Sequence, residues 1–279
     1  EGVDSLTIAA VRLGLATLVL MPAALRAARS DLHALRGRDL LLAMGSGALL
    51  AVHFWSWIES LQHTSVASST ILVTTNPLWV ALAAALFLGE RPGRTAVLGI
   101  GLSLLGTALT FVADAQDATA NRSALFGNTL ALVGALAASG YLLIGRALRT
   151  RLRLILYIAL AYGCGALLLG AAHTVSGASM SGFSLHAWLL MAGLALGPQL
   201  LGHSAFNYAL RHLSATFVAL AILGEPVGSA LLAWVFFDER FGAVQLVGFA
   251  LLLCGIFLAA RGERRAVTSS ETVQDTQSH

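Results

Sequence analysis

Residues 76–109 read NPLWVALAAALFLGERPGRTAVLGIGLSLLGTAL, and residues 224–258 read GEPVGSALLAWVFFDERFGAVQLVGFALLLCGIFL. A shift of 149 residues, the distance from Pro77 to Pro226, aligns the two stretches without a gap. The aligned pairs are His63 with His212, Ser65 with Ser214, Pro77 with Pro226, Phe87 with Phe236, Glu90-Arg91 with Glu239-Arg240, Gly93 with Gly242, Gly99 with Gly248, and Gly106 with Gly255. Similarity at a fixed offset indicates that the chain contains an internal repeat.

The composition is that of an integral membrane protein. Of 279 residues, 57% are hydrophobic and only 11% are charged, and the mean hydropathy is +0.79. At about 20 apolar residues per crossing, this length holds nine or ten spanning helices and no separate catalytic module. The net charge is +3, but the arginines are spaced out between apolar runs and form no basic face. We therefore do not expect nucleic acid as a partner.

Apolar runs of spanning length follow one another along the chain. They lie near residues 5–25, 40–61, 66–88, 95–113, 125–145, 153–172, 186–208, 213–237 and 243–260. Their length, their small residues and the lack of polar alternation favour helices over a β-barrel. We predict an all-α bundle of nine transmembrane helices, followed by a disordered cytoplasmic tail over 261–279.

The arginines divide the connections between these helices into two sets. One set contains Arg26, Arg29, Arg36, Arg38, Arg91, Arg94, Arg146, Arg149, Arg151, Arg153, Arg211, Arg261, Arg264 and Arg265, and the other contains Arg122 and Arg240. The positive-inside rule makes the rich set cytoplasmic, so the C-terminus is predicted inside. Nine helices would then put residue 1 outside, and we expect a further helix before it, ten in all.

The repeat has a consequence for architecture. A shift of 149 residues passes five helices, an odd number, so the two copies are predicted to cross the bilayer in opposite senses. Inverted repeats of this kind are typical of secondary transporters.

The two quoted stretches resemble the signature helix pairs of the EamA family, in the drug/metabolite transporter superfamily. Each has a mid-helix proline, an apolar stretch, an acidic residue at the helix end and a glycine-spaced helix. The resemblance implies two inverted five-helix repeats, here 1–113 without its first helix and 125–260. It also implies a multi-pass protein of the bacterial inner membrane that moves small metabolites such as amino acids, often outward.

Glu225 is the sharpest candidate for a functional residue, since it is the only acidic residue near the middle of a predicted span. Gly224 and Pro226 flank it and loosen the backbone, so the carboxyl is predicted to face a cavity and Pro226 to act as a hinge. An ionised carboxylate is costly inside a membrane, so Glu225 could take up and release protons as the coupling ion. The alternative is a protonated or hydrogen-bonded carboxyl that only fixes the bend.

The repeat partner of Glu225 is Asn76, in a predicted helix rich in hydroxyl groups that include those of Thr70 and Thr74. Pro77 supplies a hinge or a break there. The hydroxyls either line a polar substrate path or bond back to their own helix, and the pattern leaves both interpretations open.

Three polar residues on two other helices complete the predicted cavity. His53 and Trp57 lie one turn apart and form either an interfacial anchor or an aromatic, polar wall for an amino acid or amine. Gln199 lies near mid-membrane.

Arg12 lies two turns inside the first apolar run. It either snorkels to the interface or attracts anions at the mouth of the cavity. Cys164 and Cys254 lack paired spacing, and no HExxH motif occurs, so neither a metal nor another cofactor is expected.

The sequence thus predicts a secondary transporter, an exporter of small polar metabolites such as amino acids, that works by alternating access around a midplane cavity. Its partners are the substrate, the lipid bilayer and protons. The alternative is a non-transporting membrane scaffold or an intramembrane enzyme. An enzyme would need clustered nucleophile, base or metal ligands, which the pattern lacks, and a scaffold would not need polar residues on symmetric helices.

Overall fold

The computed structural model describes residues 2–31, 35–64, 66–83, 86–87, 93–114, 124–224, 235, 242–244, 246–259 and 261. Within these residues the chain forms helices joined by turns and short connections. The helices are α1 (Ser5–Asp31), α2 (Gly37–His63), α3 (Val66–Val73), α4 (Asn76–Ala83), α5 (Arg94–Asp114), α6 (Ala124–Arg149), α7 (Leu154–Ser176), α8 (Leu185–Leu194), a π-helix (Ala195–His203), α9 (Ser204–Ala209), α10 (Ala215–Ile222) and α11 (Leu246–Ala259).

Five helical segments are long and apolar enough to cross a membrane. They are Ser5–Arg29, Gly37–His63, Leu125–Arg149, Leu154–Ser176 and Leu185–Ala209, and shorter apolar helices cover Arg94–Leu109 and Leu246–Ala259. The prediction of an all-helical, multi-pass membrane protein is therefore confirmed. The count of nine spans includes stretches outside the described residues. Most of the tail over 261–279 also lies outside them.

Side chains and a glycine mark several helix ends. The hydroxyl of Ser184 accepts a hydrogen bond from the backbone N–H of Ala187 (3.1 Å), and that of Ser214 accepts one from Phe217 (3.0 Å). These are N-caps, which satisfy donors that the first helical turn leaves open. At the other end of α7, Gly177 has a φ of 71°, a left-handed conformation that suits glycine.

The chain forms two compact units, and each combines parts of both sequence repeats. Unit 1 consists of residues 1–64 and 121–213, and unit 2 of residues 65–120 and 214–279. Unit 1 therefore holds α1, α2, α6 to α9 and the π-helix, and unit 2 holds α3 to α5, α10 and α11.

The helix predicted over 66–88 is interrupted next to Pro77, where the sequence predicts a hinge or a break. It is broken by a turn between α3, which ends at Val73, and α4. Pro77 has no N–H to donate, and its ring clashes with the carbonyl group four residues earlier, which belongs to Val73. In the second copy, α10 ends at Ile222, which is again four residues before proline, here Pro226.

Small residues let α2 and α6 pack closely in unit 1. A Cβ atom at Gly127 would lie 2.9 Å from the backbone nitrogen of Thr64, and one at Gly134 would lie 3.2 Å from Ser56 Oγ. The earlier residue of α6, Gly127, contacts the end of α2, and the later one, Gly134, contacts an earlier part of α2. The two helices are therefore antiparallel. Close backbone approach at small residues is the usual source of helix association in lipid.

Unit 2 has a second close crossing, between α5 and α11. A Cβ atom at Gly99 would lie 2.6 Å from the carbonyl oxygen of Gly255, and one at Gly106 would lie 2.6 Å from that of Gly248. These helices are therefore antiparallel and touch through their backbones. The apolar core beside this crossing consists of Ala81, Ile100, Leu220, Leu223, Leu252 and Ala259.

Candidate functional site

Arg12 lies inside unit 1 and is only 4% exposed. Its Nε donates a hydrogen bond to Oε1 of Gln199 (3.0 Å), and its Cζ lies 3.9 Å from the ring centroid of Phe54. A guanidinium over an aromatic face is stabilised by a cation–π interaction. The side chain therefore points into the unit rather than snorkelling along its surface.

The π-helix positions Gln199 for this contact. It continues α8 and contains Pro198, which cannot donate the hydrogen bond that a regular α-helix requires at that point. The wider π turn accommodates the proline without ending the helix, and such turns are frequent at functional sites. Gln199, the next residue, is completely buried.

Aromatic rings surround the arginine on α2, α6 and the π-helix. The rings of His53 and Trp57 are stacked, with centroids 6.0 Å apart and planes 15° apart. The ring of His203 lies 5.1 Å from that of Phe54, edge to face, and 6.2 Å from that of Tyr141. Together these side chains form one aromatic cluster with polar edges, which we call the Arg12 site.

Several polar atoms in the Arg12 site, and one of Asn207 beside it, are buried without a hydrogen-bond partner among the described residues. They are Nε1 of Trp57, Nε2 of Gln199, Nδ1 of His203 and Oδ1 of Asn207. An unsatisfied buried donor or acceptor costs about 1–3 kcal/mol. Atoms of this kind in a native protein call for an explanation, and a polar ligand that bonds to them is one.

Hydrogen bonds behind the site fix its outer residues. The hydroxyl of Tyr162 donates to the backbone oxygen of Gln199 (3.5 Å) and shares a hydrogen bond with Ser204 (3.3 Å). The Nδ2 of Asn207 donates to the hydroxyl of Tyr141. The π-helix and α9 are therefore held against α6 and α7, which keeps the position of Gln199 defined.

The predicted site residues of the first repeat's α3 and α4 lie in unit 2. Asn76 is buried at the start of α4. The hydroxyl of Thr74 donates to the backbone oxygen of Thr70 (2.7 Å), so this threonine bonds back to its own helix. Glu225 and Pro226 lie outside the described residues, and their predicted roles stay predictions.

Three members of the Arg12 site were not among the predicted cavity residues, namely Phe54, Tyr141 and His203. Phe54 and Tyr141 interrupt no apolar run, so their type alone suggested membrane packing. The available signal was position: Phe54 directly follows His53, and His203 is one turn beyond Gln199. Within the described residues, His, Cys, Asp and Glu form no group of three or more able to hold a metal ion.

Relatives of the chain are named as transporters. An "Uncharacterized transporter" of Archaeoglobus fulgidus is 25% identical over 263 residues, which cover 93% of this chain and 88% of that protein. A "Probable terminal-alkyne amino-acid exporter" of Streptantibioticus cattleyicolor is 25% identical over 281 residues, covering 96% of this chain and 90% of that protein.

A solved crystal structure has the same fold. It superposes with a TM-score of 0.75 over 95% of this chain and 90% of that one, at 18% sequence identity. The family model of EamA-like transporters matches residues 1–112 and again residues 125–261. The chain therefore belongs to the EamA-like transporter family, and it is a transporter rather than an enzyme.

Proposed function

We propose that this protein is a secondary transporter that exports small polar metabolites with a carboxylate group, such as amino acids, and that the Arg12 site binds the substrate. The observation that carries the proposal is the meeting of a buried arginine with unsatisfied N–H groups. Arg12 brings positive charge, and Trp57 and Gln199 bring donors that nothing in the described part of the chain uses.

A carboxylate fits this set of groups. The guanidinium of Arg12 carries a positive charge that a carboxylate neutralises, and charge-assisted hydrogen bonds between these groups are about twice as strong as neutral ones. The indole N–H of Trp57 and the amide of Gln199 can bind further polar atoms of the same molecule. The rings of Phe54 and His203 then contact its apolar part, a division of labour typical of small-molecule sites.

Alternating access around this site requires two pseudo-symmetric halves, and the contacts in each unit support an inverted repeat. In unit 2, Gly99 meets Gly255 while Gly106 meets Gly248, and each glycine pair is the repeat counterpart of the other. Such reciprocal contacts are what a two-fold axis produces. The hydroxyl of Ser103 donates to the backbone oxygen of its own counterpart 149 residues later (3.4 Å), as expected close to such an axis.

Unit 1 provides the same kind of support. The helices α1 and α7 begin 149 residues apart and run antiparallel. Thr7 lies against His173, and Thr17 lies near Gly163. A pseudo-two-fold relation within each unit is consistent with rocking of one repeat against the other.

The direction and the class of substrate are supported by a relative, since the Streptantibioticus cattleyicolor protein is named as an amino-acid exporter. We further propose protons as the coupling ion, with Glu225 as the group that carries them. In the sequence it directly follows the turn that ends α10, and its repeat counterpart Asn76 is buried.

The test is transport in proteoliposomes that contain the full-length protein. Efflux of a labelled neutral amino acid is compared with that of the matching amide and the matching amine, which lack the carboxylate. We expect transport of the amino acid alone. Replacement Arg12→Gln keeps a polar side chain but removes the charge, and it should raise the KM for the amino acid about tenfold or more.

The matched control is Arg29→Gln, on the same helix but exposed at its end. It should leave the KM unchanged. Equal transport of the amide by the unaltered protein, or an unchanged KM in the Arg12→Gln variant, would refute the assignment of the Arg12 site.

The coupling role of Glu225 is tested in the same vesicles. The Glu225→Gln variant keeps the shape of the protonated carboxyl but cannot titrate. It should fold normally and lose the dependence of efflux on a pH gradient, while Glu239→Gln, at a predicted helix end, should keep it. Gradient-driven efflux that survives in Glu225→Gln would exclude this residue as the proton carrier.

A further inference from the structure

The end of unit 1 where α1, α6 and α9 finish and α7 begins contains a strongly basic cavity. Its volume is about 690 Å³, and its polar lining consists of Arg26, Arg149, Arg153, Arg211, His212 and Tyr208. Among the residues that the structure describes, none that lines this cavity has a carboxylate. A cavity of this size holds a small ligand, and its charge selects an anion.

The arginines of this cavity have different tasks. Arg149 is 2% exposed and turns inward, where its Nε donates to the backbone oxygen of Asn207 (2.9 Å) and its Nη1 to that of Leu152. It therefore stabilises the end of α9, where a helix leaves carbonyl groups open. Arg26 and Arg211 are exposed and form no ion pair within the described part of the chain.

The start of α7 also faces this cavity. Its first two residues, Leu154 and Ile155, are part of the lining. The N-cap position belongs to Arg153, which makes no capping hydrogen bond to the helix, because arginine has donors only. The first N–H groups of α7 and the positive end of its dipole therefore open towards the arginines.

The corresponding helix start in the other copy of the repeat has a carboxylate cap, which the start of α7 lacks. The residue 149 positions before Arg153 is Asp4, at the start of α1. There the Oδ1 of Asp4 accepts a hydrogen bond from the backbone N–H of Thr7 (2.9 Å). One copy of the repeat thus carries its own anion at the helix start, while the other has a cation and a cavity in that place.

We propose that this cavity binds the phosphate group of an anionic ligand at the N-terminus of α7, between Arg26, Arg153 and Arg211. A phosphate offers acceptor oxygens both to guanidinium groups and to the open N–H groups of the helix start. At the start of α7 the phosphate thereby has the role that the carboxylate of Asp4 has at the start of α1 in the other copy.

Two sources can bring that phosphate, a lipid headgroup or a water-soluble phosphate compound. The cavity lies at the ends of membrane-spanning segments, the depth of lipid headgroups, and its remaining lining is apolar, as an acyl chain would require. Basic pockets between spanning helices are known to bind acidic lipids. The experiment therefore has one arm for each source.

The test measures the melting temperature of the purified, delipidated full-length protein in detergent at constant ionic strength. One arm adds phosphatidylglycerol, with zwitterionic phosphatidylcholine as its control, and the other adds glycerol 3-phosphate. We expect an increase of a few degrees, because a ligand that binds only the folded state stabilises it. An increase with phosphatidylglycerol alone assigns the site to lipid, and an increase with both assigns it to the phosphate group itself.

Variants make the result specific to the cavity. Arg26→Gln and Arg211→Gln should each weaken apparent binding about tenfold, whereas Arg29→Gln, one turn beyond Arg26 and outside the lining, should not. Arg153→Asp gives α7 the cap that α1 has, so this variant should fold without the anion and lose the increase.

Three results would overturn the proposal. They are no increase with either anion, the same increase in the Arg26→Gln and Arg211→Gln variants as in the unaltered protein, and a full increase in Arg153→Asp.

Discussion

Two arginines of unit 1 are almost completely buried, and their contacts give them different roles. Arg149 donates hydrogen bonds to the backbone oxygen of Asn207 in α9 and to that of Leu152 in the connection after α6, so its charge stabilises helix ends. Arg12 is held by a neutral amide and an aromatic ring, beside N–H groups of Trp57 and Gln199 that lack partners among the described residues. Burial alone does not separate the two arginines, but Arg149 bonds to backbone carbonyl groups, whereas Arg12 contacts the side chains of Gln199 and Phe54.

Asp4, at the edge of the first span, is a residue whose ionisation contributes to stability. Partial burial raises the pKa of its carboxyl, but hydrogen bonds from Thr7 and the nearby His173 outweigh this, so the pKa lies below the ordinary value of 3.8. A lowered pKa means that the ionised form stabilises the folded state. This contribution is present at neutral pH and is lost as the pH falls below about 4 through the lowered pKa.

We predict that Asp4→Ala, which removes the N-cap of α1, lowers the free energy of unfolding by about 1 kcal/mol at pH 7. Asp4→Asn keeps a capping oxygen and should cost less at pH 7, but its stability should not depend on the carboxyl titration. Melting temperatures of the three proteins between pH 7 and pH 3 measure both effects. If Asp4→Asn and the unaltered protein lose stability in parallel below pH 4, the cap is not the titrating group.

Some residues of the Arg12 site can be predicted from the sequence, and others cannot. Arg12, Trp57 and Gln199 could be proposed because polar groups inside apolar runs are costly and therefore noticeable. Phe54 and Tyr141 could not, because an aromatic residue in an apolar run fits lipid, core and ligand equally well. Whether such a residue contacts lipid, core or ligand depends on how its helix is rotated relative to the neighbouring helices. That rotation is known only from the packed structure.

At the scale of the helix, Pro77 and Pro198 affect their helices differently, and the sequence alone does not predict which effect occurs. Pro77 accompanies a real break, with α3 ending four residues before it. Pro198 leaves the chain helical, because the turn widens to a π-helix instead of ending. Both remove the same hydrogen bond. The difference lies in the tertiary contacts, since the π-helix is held by Gln199 and its partners Arg12 and Tyr162.

Two glycines of α5 allow a direct test of the packing in unit 2. A Cβ atom at Gly106 would lie 2.6 Å from the carbonyl oxygen of Gly248, whereas one at Gly101 would meet nothing within 4 Å. Alanine normally stabilises a helix relative to glycine, by up to about 1 kcal/mol. We predict that Gly101→Ala leaves the protein as stable as before or more so. Gly106→Ala should destabilise it by about 1–3 kcal/mol, because a backbone must move.

Thermal unfolding of the two purified variants in the same detergent measures this difference. The two substitutions add the same methyl group to the same helix, so differences in detergent binding or helix propensity cancel. Melting temperatures that change equally, in either direction, would show that α5 and α11 do not touch as described.

Among the described residues, the two ends of unit 1 carry different ionisable groups. Arginines from α1 and α6, from the residue before α7 and from the turn after α9 meet at one end, in the basic cavity. At the other end, Glu59 accepts a hydrogen bond from Ser5 and is hydrogen-bonded to Nε2 of His63 (2.9 Å). The sequence predicted which connections are rich in arginine. It did not predict that arginines from four separate parts of the chain would line one cavity, since that depends on which helices are neighbours.

The grouping of the helices into two compact units also could not be predicted from the sequence. The repeat at 149 residues divides the chain in the middle, between the matched regions 1–112 and 125–261. The compact units cut across that division, because α1 and α2 pack with α6 and α7. Similarity between two copies shows that they have the same internal structure, but which copy a given helix packs against is decided by side-chain fit.

The arginine distribution predicts how the molecule lies in the membrane. Basic residues near short connections remain in the cytoplasm, so the connection at Thr150 is predicted inside and the connection at Ser181 outside. Both residues are exposed. In a variant without Cys164 and Cys254, a single cysteine at position 181 should react with a membrane-impermeant maleimide on intact cells. One at position 150 should react only after the membrane is opened, and a tag after His279 should be protected in the same way. The reverse labelling pattern would place the basic cavity outside the cell and contradict the predicted orientation.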